Sequence, residues 1–411
     1  MSKFRDYDPE TDEEAVIRIW KETGWLQEGK EDDLKSFLDG SSRAMVAELK
    51  EQAECLVINW NGDIQYLGEG LSFSCISSVT TSRVARKQGM AGKLTALSMA
   101  KDAAEGAQVC GLGMFEQGFY DKLGFGTGSY ENWLMFDPAT LDIEQKPGIP
   151  SRLDNDDWKV VHESRLDRKR GHGSTSLFSP IFTKMELNYR KTSFGLGYYD
   201  ESGEKLTHHV YINPEKVEKG PYWVRWLSYQ TKEEFLELIA IIKSLEDQVR
   251  LVGIREPQGI QLQDLLNKPF QYRTITRKSD YENKMRTNAY WQMRILDLKR
   301  CMNKTKLEGD PVRFNLKLRD PVEDLLDEDS PWDGISGEYV IKLGNPSEAI
   351  DGKRRSLPTM KATVNAFTRM WLGVQPASGL YLTDDLEAPV ALLKELDRKL
   401  RLPEPHPDWD F

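Results

Sequence analysis

Apolar residues in the first third of the chain recur with helical spacing and then with strand spacing. Thr11-Asp12-Glu13-Glu14 has capping-box spacing, and Val16, Ile17, Ile19 and Trp20 follow as one apolar set, which predicts a helix. Residues 44–49 and 55–60 predict strands, with Asn61-Gly62-Asp63 as a turn after the second. A third strand over 71–79 leads into a basic segment, 83–92. From Met90 onward Leu94, Leu97 and Ala104 recur at helical spacing, and 109–115 is a further apolar run. The order across 71–115 is therefore strand, basic glycine loop, helix, strand.

Pro138, Pro147, Gly148 and Pro150 interrupt any regular element over 137–151, which reads as a boundary. Beyond it, 198–203 predicts a strand end and turn, with 208–212 the returning strand. Residues 223–229 predict another strand, and Thr231-Lys232-Glu233-Glu234 caps a helix with Phe235, Leu238, Ile239 and Ile242 inward. This repeats the coarse order of the first region without its basic glycine loop, as a duplicated fold that has lost the loop would. A last region has strands at 293–297, 313–319 and 338–343 and helices at 359–372 and 389–400. Alternating prolines over 402–411 forbid a helix and favour an extended arm. The predicted class is mixed α/β, or α+β, with domains at 1–147, 148–292 and 293–411.

A length of 411 residues fits two to three domains, and 39% hydrophobic residues with 10% aromatics suffice for real cores, which excludes disorder for the bulk of the chain. Lys and Arg number 56 against 66 Asp and Glu, a net charge of −10 that repels phosphate and argues against a nucleic-acid partner. It is compatible with cationic partners. The four cysteines are dispersed with no C-x-x-C, which points to a reducing compartment, with Cys75 and Cys110 as buried small hydrophobes. There is no run of 18 apolar residues and no apolar signal core behind Met1, so no membrane span is expected and the cytoplasm is the expected compartment. The five histidines show no metal-ligand spacing, so no metal is expected. No G-x-S-x-G elbow exists, and the basic run from Arg165 to Arg170 reads as a surface loop.

Arg86-Lys87-Gln88-Gly89-Met90-Ala91 is the most informative stretch. Gly89 removes a β-carbon where backbone must approach a ligand, and the following helix start presents unpaired N–H groups and a positive dipole end. With Arg86 and Lys87 beside it, the loop is suited to a pyrophosphate, although an ordinary tight turn with a basic rim has the same local pattern.

Val79-Thr80-Thr81, the loop from Arg86 to Ala91, and Phe119-Tyr120-Asp121-Lys122-Leu123-Gly124-Phe125 together resemble the GCN5-related N-acetyltransferases. The resemblance implies that the backbone of Val79, Thr80 and Thr81 pairs with the pantetheine of acetyl-CoA. It further implies that Lys87, Gln88, Gly89, Met90, Ala91 and Gly92 hold its pyrophosphate, with Phe115 and Glu116 touching it from the facing strand. Tyr120 would lie near the thioester. One departure is Ser82-Arg83 where proline is frequent, so the strand is expected to enter the loop differently.

Over its full length the chain is similar to the enhanced intracellular survival acetyltransferases. That likeness implies two tandem acetyltransferase-like domains, the second degenerate, then a sterol-carrier-protein-like domain. It also implies a homo-oligomer, often a hexamer, and a terminal carboxylate, here on Phe411, in the active site. Tyr120 would act as proton donor to the departing thiolate, and Phe411 would take or hold the ammonium proton. Asp408 and Asp410 would line an acidic pocket or be solvated tail charges, and Trp20, Trp25 and Trp409 would form an aromatic wall, with packing in the core or on an amphipathic helix the alternative for Trp20. The expected reaction is acetyl transfer from acetyl-CoA to a primary amine of a small cationic molecule, such as an aminoglycoside- or polyamine-like substrate, or of lysine. The alternatives are a non-catalytic acyl-CoA sensor and a lipid- or sterol-binding protein with a relic acetyltransferase domain.

Overall fold

The computed structural model describes residues 3–188, 190–267 and 276–410. After an edge strand, β1 (Lys3–Asp6), the chain enters helix α1 (Pro9–Thr23), and Asp8, not Thr11, is the cap: its side chain accepts the Glu10 N–H at 3.0 Å. Pro9 starts the helix early because its fixed φ suits the first helical position and its missing N–H is not needed there. Helix α2 (Glu31–Gly40) and strands β2 (Arg43–Leu49), β3 (Gln52–Tyr66) and β4 (Glu69–Thr81) follow, the three strands antiparallel. Asn61-Gly62-Asp63 is not a turn but the middle of β3. A β-carbon on Gly62 would lie 2.0 Å from the carbonyl oxygen of Ser176, so the glycine serves a close backbone approach. Helix α3 (Met90–Ala104) carries the chain over to β5 (Val109–Gly113), parallel to β4, and the short β6 (Gly126–Thr127) comes next.

Strand β7 (Glu131–Phe136) opens a second compact unit made of 130–170 and 180–289. It contains β8 (Ser151–Leu153) and α4 (Trp158–Asp167). After β9 (Thr175–Leu177), which belongs to the first unit, come α5 (Pro180–Asn188), β10 (Phe194–Tyr199), β11 (Leu206–Pro214), β12 (Tyr222–Ser228), α6 (Lys232–Lys243), β13 (Val252–Arg255) and β14 (Lys284–Asn288). Its sheet runs β14-β7-β13-β12-β11-β10-β8. The expected capping box of α6 is present: Thr231 Oγ1 accepts the Glu234 N–H at 3.2 Å and the Glu234 carboxylate accepts the Thr231 N–H at 3.3 Å. The basic run is not a surface loop. Arg165 and Arg168 are buried, and the Arg165 guanidinium lies 4.1 Å from the Trp226 ring centroid and pairs with Glu186. An arginine there is retained by cation–π stacking and an ion pair, features a residue-by-residue reading of charge does not reveal.

The first unit comprises residues up to 129, 171–179 and 290 onward. Its later part contains β15 (Trp291–Ile295), α7 (Leu298–Lys304), β16 (Val312–Arg319), β17 (Gly337–Leu343), β18 (Glu348–Asp351), β19 (Thr359–Thr363), α8 (Val364–Trp371), α9 (Ala377–Thr383), β20 (Leu386–Glu387) and α10 (Val390–Lys399). Strand β15, expected in the last domain, enters the first sheet, whose order is β1-β2-β3-β4-β5-β15-β6 with β9 against β3. Strands β16 to β20 form a separate five-stranded sheet in the order β18-β17-β16-β19-β20. The helix expected at 359–372 starts only at Val364. Met360 and Ala362 are buried while Lys361 between them is exposed, the alternation of a strand. The class is mixed α/β. Among the described residues no helix is long and apolar enough to cross a membrane.

Candidate active site

Strand β4 pairs with β5 only from Phe73 to Ile76, opposite Val109 to Leu112, although β4 continues to Thr81. Strand β5 pairs with β15 on its other side along its whole length, and that pairing continues past Leu112: Gly113 pairs with Trp291, and the Met114 N–H donates to the Tyr290 carbonyl at 2.6 Å. The two parallel strands therefore part after Ile76. A bulge marks the place, where Ser78 adopts a φ of 54° and the β3–β4 register shifts. Past it, the Ser82 N–H donates to Glu54 O at 2.9 Å. Strand alternation then turns the backbone groups of Thr81, and of Val79 two residues earlier, away from β3 toward the opening. The side chains of the other candidates are engaged locally: Thr80 Oγ1 donates to Ser78 O at 3.4 Å, and Thr81 Oγ1 lies 3.3 Å from Cys55 Sγ. What this segment offers a ligand is backbone.

The loop between β4 and α3 has the form the sequence suggests. Lys87 (φ 64°) and Gly89 (φ 77°) both take left-handed conformations, and no atom lies within 4 Å of where a Gly89 β-carbon would stand. Gly89 is the N-cap of α3 and contributes no side-chain bond, so the first-turn N–H groups of Met90, Ala91 and Gly92 have no cap. Arg86, Lys87 and Gln88 are exposed, and neither cation forms an ion pair among the described residues. Arg83 is tied down differently, its N–H donating to Glu22 Oε2 at 2.8 Å.

Tyr120 starts a tight turn, Tyr120–Leu123, closed by Gly124 at φ 84°. Its ring is buried, 7% exposed, in one core cluster with Ile76, Met90 and Phe125, against which Val79, Met114 and Phe119 also pack. The hydroxyl makes no hydrogen bond among the described residues, and burial pushes its pKa up to about 12. The phenol is therefore fully protonated at neutral pH. Phe115 and Glu116 follow β5 and are both exposed, Phe115 by 91%.

The proline-rich arm is docked, not frayed. The His406 N–H donates to His172 O at 3.0 Å, Ser129 Oγ to Pro405 O at 2.5 Å, and Ser174 Oγ to Asp408 Oδ1 at 2.6 Å. Pro405, Pro407 and Trp409 are buried alternately, and Tyr290 OH donates to Asp410 Oδ1 at 3.1 Å. Asp410 thus bonds the residue whose carbonyl accepts the Met114 N–H just past β5. Phe411 lies outside the described residues. Trp409 is wholly buried, whereas Trp20 packs edge-on to Trp25 at 5.8 Å with Trp25 46% exposed, so the three tryptophans do not share one role.

The structure thus brings Val79, Met90 and Tyr120 into one cluster, while Phe115 and Glu116 project outward. The sequence reading missed Gln292, Arg294 and Asn365, which all bond the Tyr120 turn. No local signal marks them: they are single polar residues in apolar-patterned elements far along the chain. Among the described residues no three His, Cys, Asp or Glu side chains are grouped to hold a metal.

No protein-family model matches the sequence, and no curated protein matches it. Solved structures do. A probable N-acyltransferase of Enterococcus faecalis V583 is similar at 16% identity and a TM-score of 0.79. A GCN5-related N-acetyltransferase of Anabaena variabilis ATCC 29413 gives 13% and 0.78, and Eis1 of Mycobacterium abscessus 12% and 0.77. All three likenesses cover the whole of both chains. Over its full length, then, this chain has the fold found in GCN5-related N-acetyltransferases.

Proposed function

We propose that the protein is an acetyl-CoA-dependent N-acetyltransferase. The observation that carries this reading is the parting of β4 and β5 after Ile76, which leaves backbone groups of Val79 and Thr81 unpaired by β5, with Val79 packed against the cluster that holds Tyr120. Strand-like pairing suits a pantetheine arm, and the uncapped start of α3 with Arg86 and Lys87 suits a pyrophosphate. Phe115 and Glu116 are exposed just after β5, and their contact with the cofactor is carried by the family resemblance.

In the reaction a neutral amine attacks the thioester carbonyl, the C–N bond forms, and the C–S bond breaks. Tyr120 donates a hydrogen bond to the leaving sulfur, which departs as a thiolate and is protonated from solvent, while the amine proton leaves to water. A phenol near pKa 12 is a weaker acid than a thiol of about 8.5. Its contribution is thus a hydrogen bond that strengthens as negative charge builds on sulfur, not early proton transfer. Holding both reactants together supplies the remaining advantage. The acceptor is a primary amine of a small cationic substrate or of lysine, which the net charge of −10 favours. The homo-oligomer, the sterol-carrier-like character of the five-stranded module and the role of the Phe411 carboxylate are carried by the family resemblance.

The test mixes protein, acetyl-CoA and a panel of amines and follows free thiol. Amine-dependent release that falls roughly 100-fold in Tyr120→Phe supports the reading. Binding of acetyl-CoA without release with any amine refutes it in favour of a sensor.

A further inference from the structure

Three alternate carbonyls of the turn that carries Tyr120 are held by side chains from the far end of the chain. Asn365, on α8, donates through Nδ2 to Asp121 O at 2.8 Å and to Phe125 O at 2.9 Å. Arg294, on β15, donates through one guanidinium nitrogen to Leu123 O at 2.5 Å. Gln292, also on β15, donates to Asp121 Oδ1 at 2.7 Å. The arginine is fixed by Asp320, which follows β16. Both side chains are fully buried, and the two-pronged pair closes at 3.1 and 2.5 Å.

The fit leaves no room for adjustment. A β-carbon on Gly124 would lie 2.5 Å from the Arg294 guanidinium, and one on Gly126 would lie 2.6 Å from Asn365 O. Val322, just after Asp320, joins the core cluster that contains Tyr120, with Leu325, Leu326 and Trp332 packed on it. The Tyr120 turn closes on itself through the Gly124 N–H to Asp121 O at 3.1 Å and the Phe125 N–H to Tyr120 O at 3.2 Å, and the distant side chains fix where the closed turn stands. Leu123 O and Phe125 O take donors from β15 and α8, Asp121 O takes a second one from α8, and these contacts tie the position of the phenol to those elements.

We infer that Asn365 is a positioning residue for Tyr120, and that the C-terminal module serves the acetyl-transfer site by fixing this turn, with Arg294 and Asp320 as its second anchor. The inference rests on the acetyltransferase reading. Asn365 touches no reacting atom. Its amide supplies two donors to two carbonyls, and no apolar residue reproduces that. An aspartate of the same shape would instead place acceptors against them.

The experiment measures kcat, the KM for acetyl-CoA and the urea midpoint for wild type, Asn365→Ala, Asn365→Asp and Asn365→Ser. Each is made in the presence of Tyr120 and of Tyr120→Phe. Displacing the acid by about 1 Å predicts kcat roughly 10- to 100-fold lower in the Ala and Asp variants, with the KM for acetyl-CoA unchanged. The serine variant, which keeps one donor, falls between them and wild type. In the Tyr120→Phe background the same changes add little, because the group they position is gone. A purely structural role moves the midpoint and leaves kcat per folded molecule intact. That result overturns the inference, as does an equal loss in both backgrounds. A wild-type protein without amine-dependent thiol release, or one indifferent to Tyr120→Phe, overturns the acetyltransferase reading itself. Those failures are visible before any Asn365 variant is compared.

Discussion

The ring of Tyr66 stacks on the indole of Trp371 with centroids 4.4 Å apart and planes 5° from parallel, and its hydroxyl donates to the Trp371 carbonyl at 3.0 Å. Both side chains are fully buried. Tyr66 ends β3 and Trp371 ends α8, so one pair joins the sheet that carries the candidate site to the helix that holds the Tyr120 turn. Trp371 is anchored in turn by its Nε1, which donates to Thr305 Oγ1 at 2.8 Å.

Removing only the hydroxyl isolates the polar part of that joint. Tyr66→Phe leaves the stacking in place and deprives a buried carbonyl of its donor, an expected loss of about 1–3 kcal/mol in urea unfolding. Trp371→Ala removes the stack as well and leaves a cavity, for an expected loss of about 3–5 kcal/mol.

The buried Arg294–Asp320 pair behaves differently. Asp320→Ala leaves an unpaired guanidinium in the core and is expected to cost about 3–5 kcal/mol. Combining it with Arg294→Met removes the stranded charge but does not restore wild-type stability. Asp320 also accepts the N–H groups of Val322 at 3.2 Å and Ile335 at 3.1 Å, and Leu123 O loses its donor. A double variant as stable as wild type in equilibrium unfolding would contradict this accounting.

The part of the site that was legible is the part whose cause is local. The strand–loop–helix order around Gly89 follows from periodicity and one glycine, and the capping box at Thr231 from two residues three apart. The helix predicted from Thr11 came close but missed its cap, because Pro9 competes at the same end. What stayed hidden depends on partners distant in sequence. A strand is predicted at 293–297 and β15 is found at Trp291–Ile295, yet nothing in so short a run says that its neighbour is β5, some 180 residues earlier. The same strand carries Gln292 and Arg294, so missing its partner meant missing two of the three residues that hold Tyr120. Asn61-Gly62 failed for a related reason: the backbone that makes a glycine necessary there arrives with Ser176.

His172 sets a pH dependence. The Leu67 N–H donates to its Nδ1 at 3.1 Å, so its proton is on Nε2, which donates to Leu372 O at 2.9 Å, while its own carbonyl accepts the arm at His406. Burial holds the imidazole neutral and lowers its pKa below the ordinary 6.5. The unfolded chain therefore takes up a proton first as pH falls. The stabilisation is complete above about pH 6.5 and is lost below it, by up to about 1.4 kcal/mol per pH unit, until the folded-state pKa is passed. His172→Phe is less stable at neutral pH but has a shallower slope between pH 6.5 and 5. Urea midpoints across that range check the difference. The buried His209, with its pKa lowered to about 3, contributes equally to both proteins and cancels.

Two glycines separate structural need from ligand need. Gly62 is enclosed, and a β-carbon there meets Ser176 O at 2.0 Å and Leu177 Cα at 3.3 Å, both backbone atoms that cannot swing aside. Gly62→Ala must push β9 off β3 and is expected to cost about 3 kcal/mol. Gly89 has nothing within 4 Å, so Gly89→Ala costs only the strain of a left-handed φ of 77°, about 1 kcal/mol. Its consequence lies elsewhere: the new methyl stands where a pyrophosphate would approach the first turn of α3. On the proposed reading, Gly89→Ala raises the KM for acetyl-CoA about 10-fold with nearly normal kcat and a nearly normal urea midpoint. Gly62→Ala lowers the midpoint without selectively weakening the cofactor. An unchanged KM in Gly89→Ala would remove the loop from the binding site and leave only the open edge of β4 to hold acetyl-CoA.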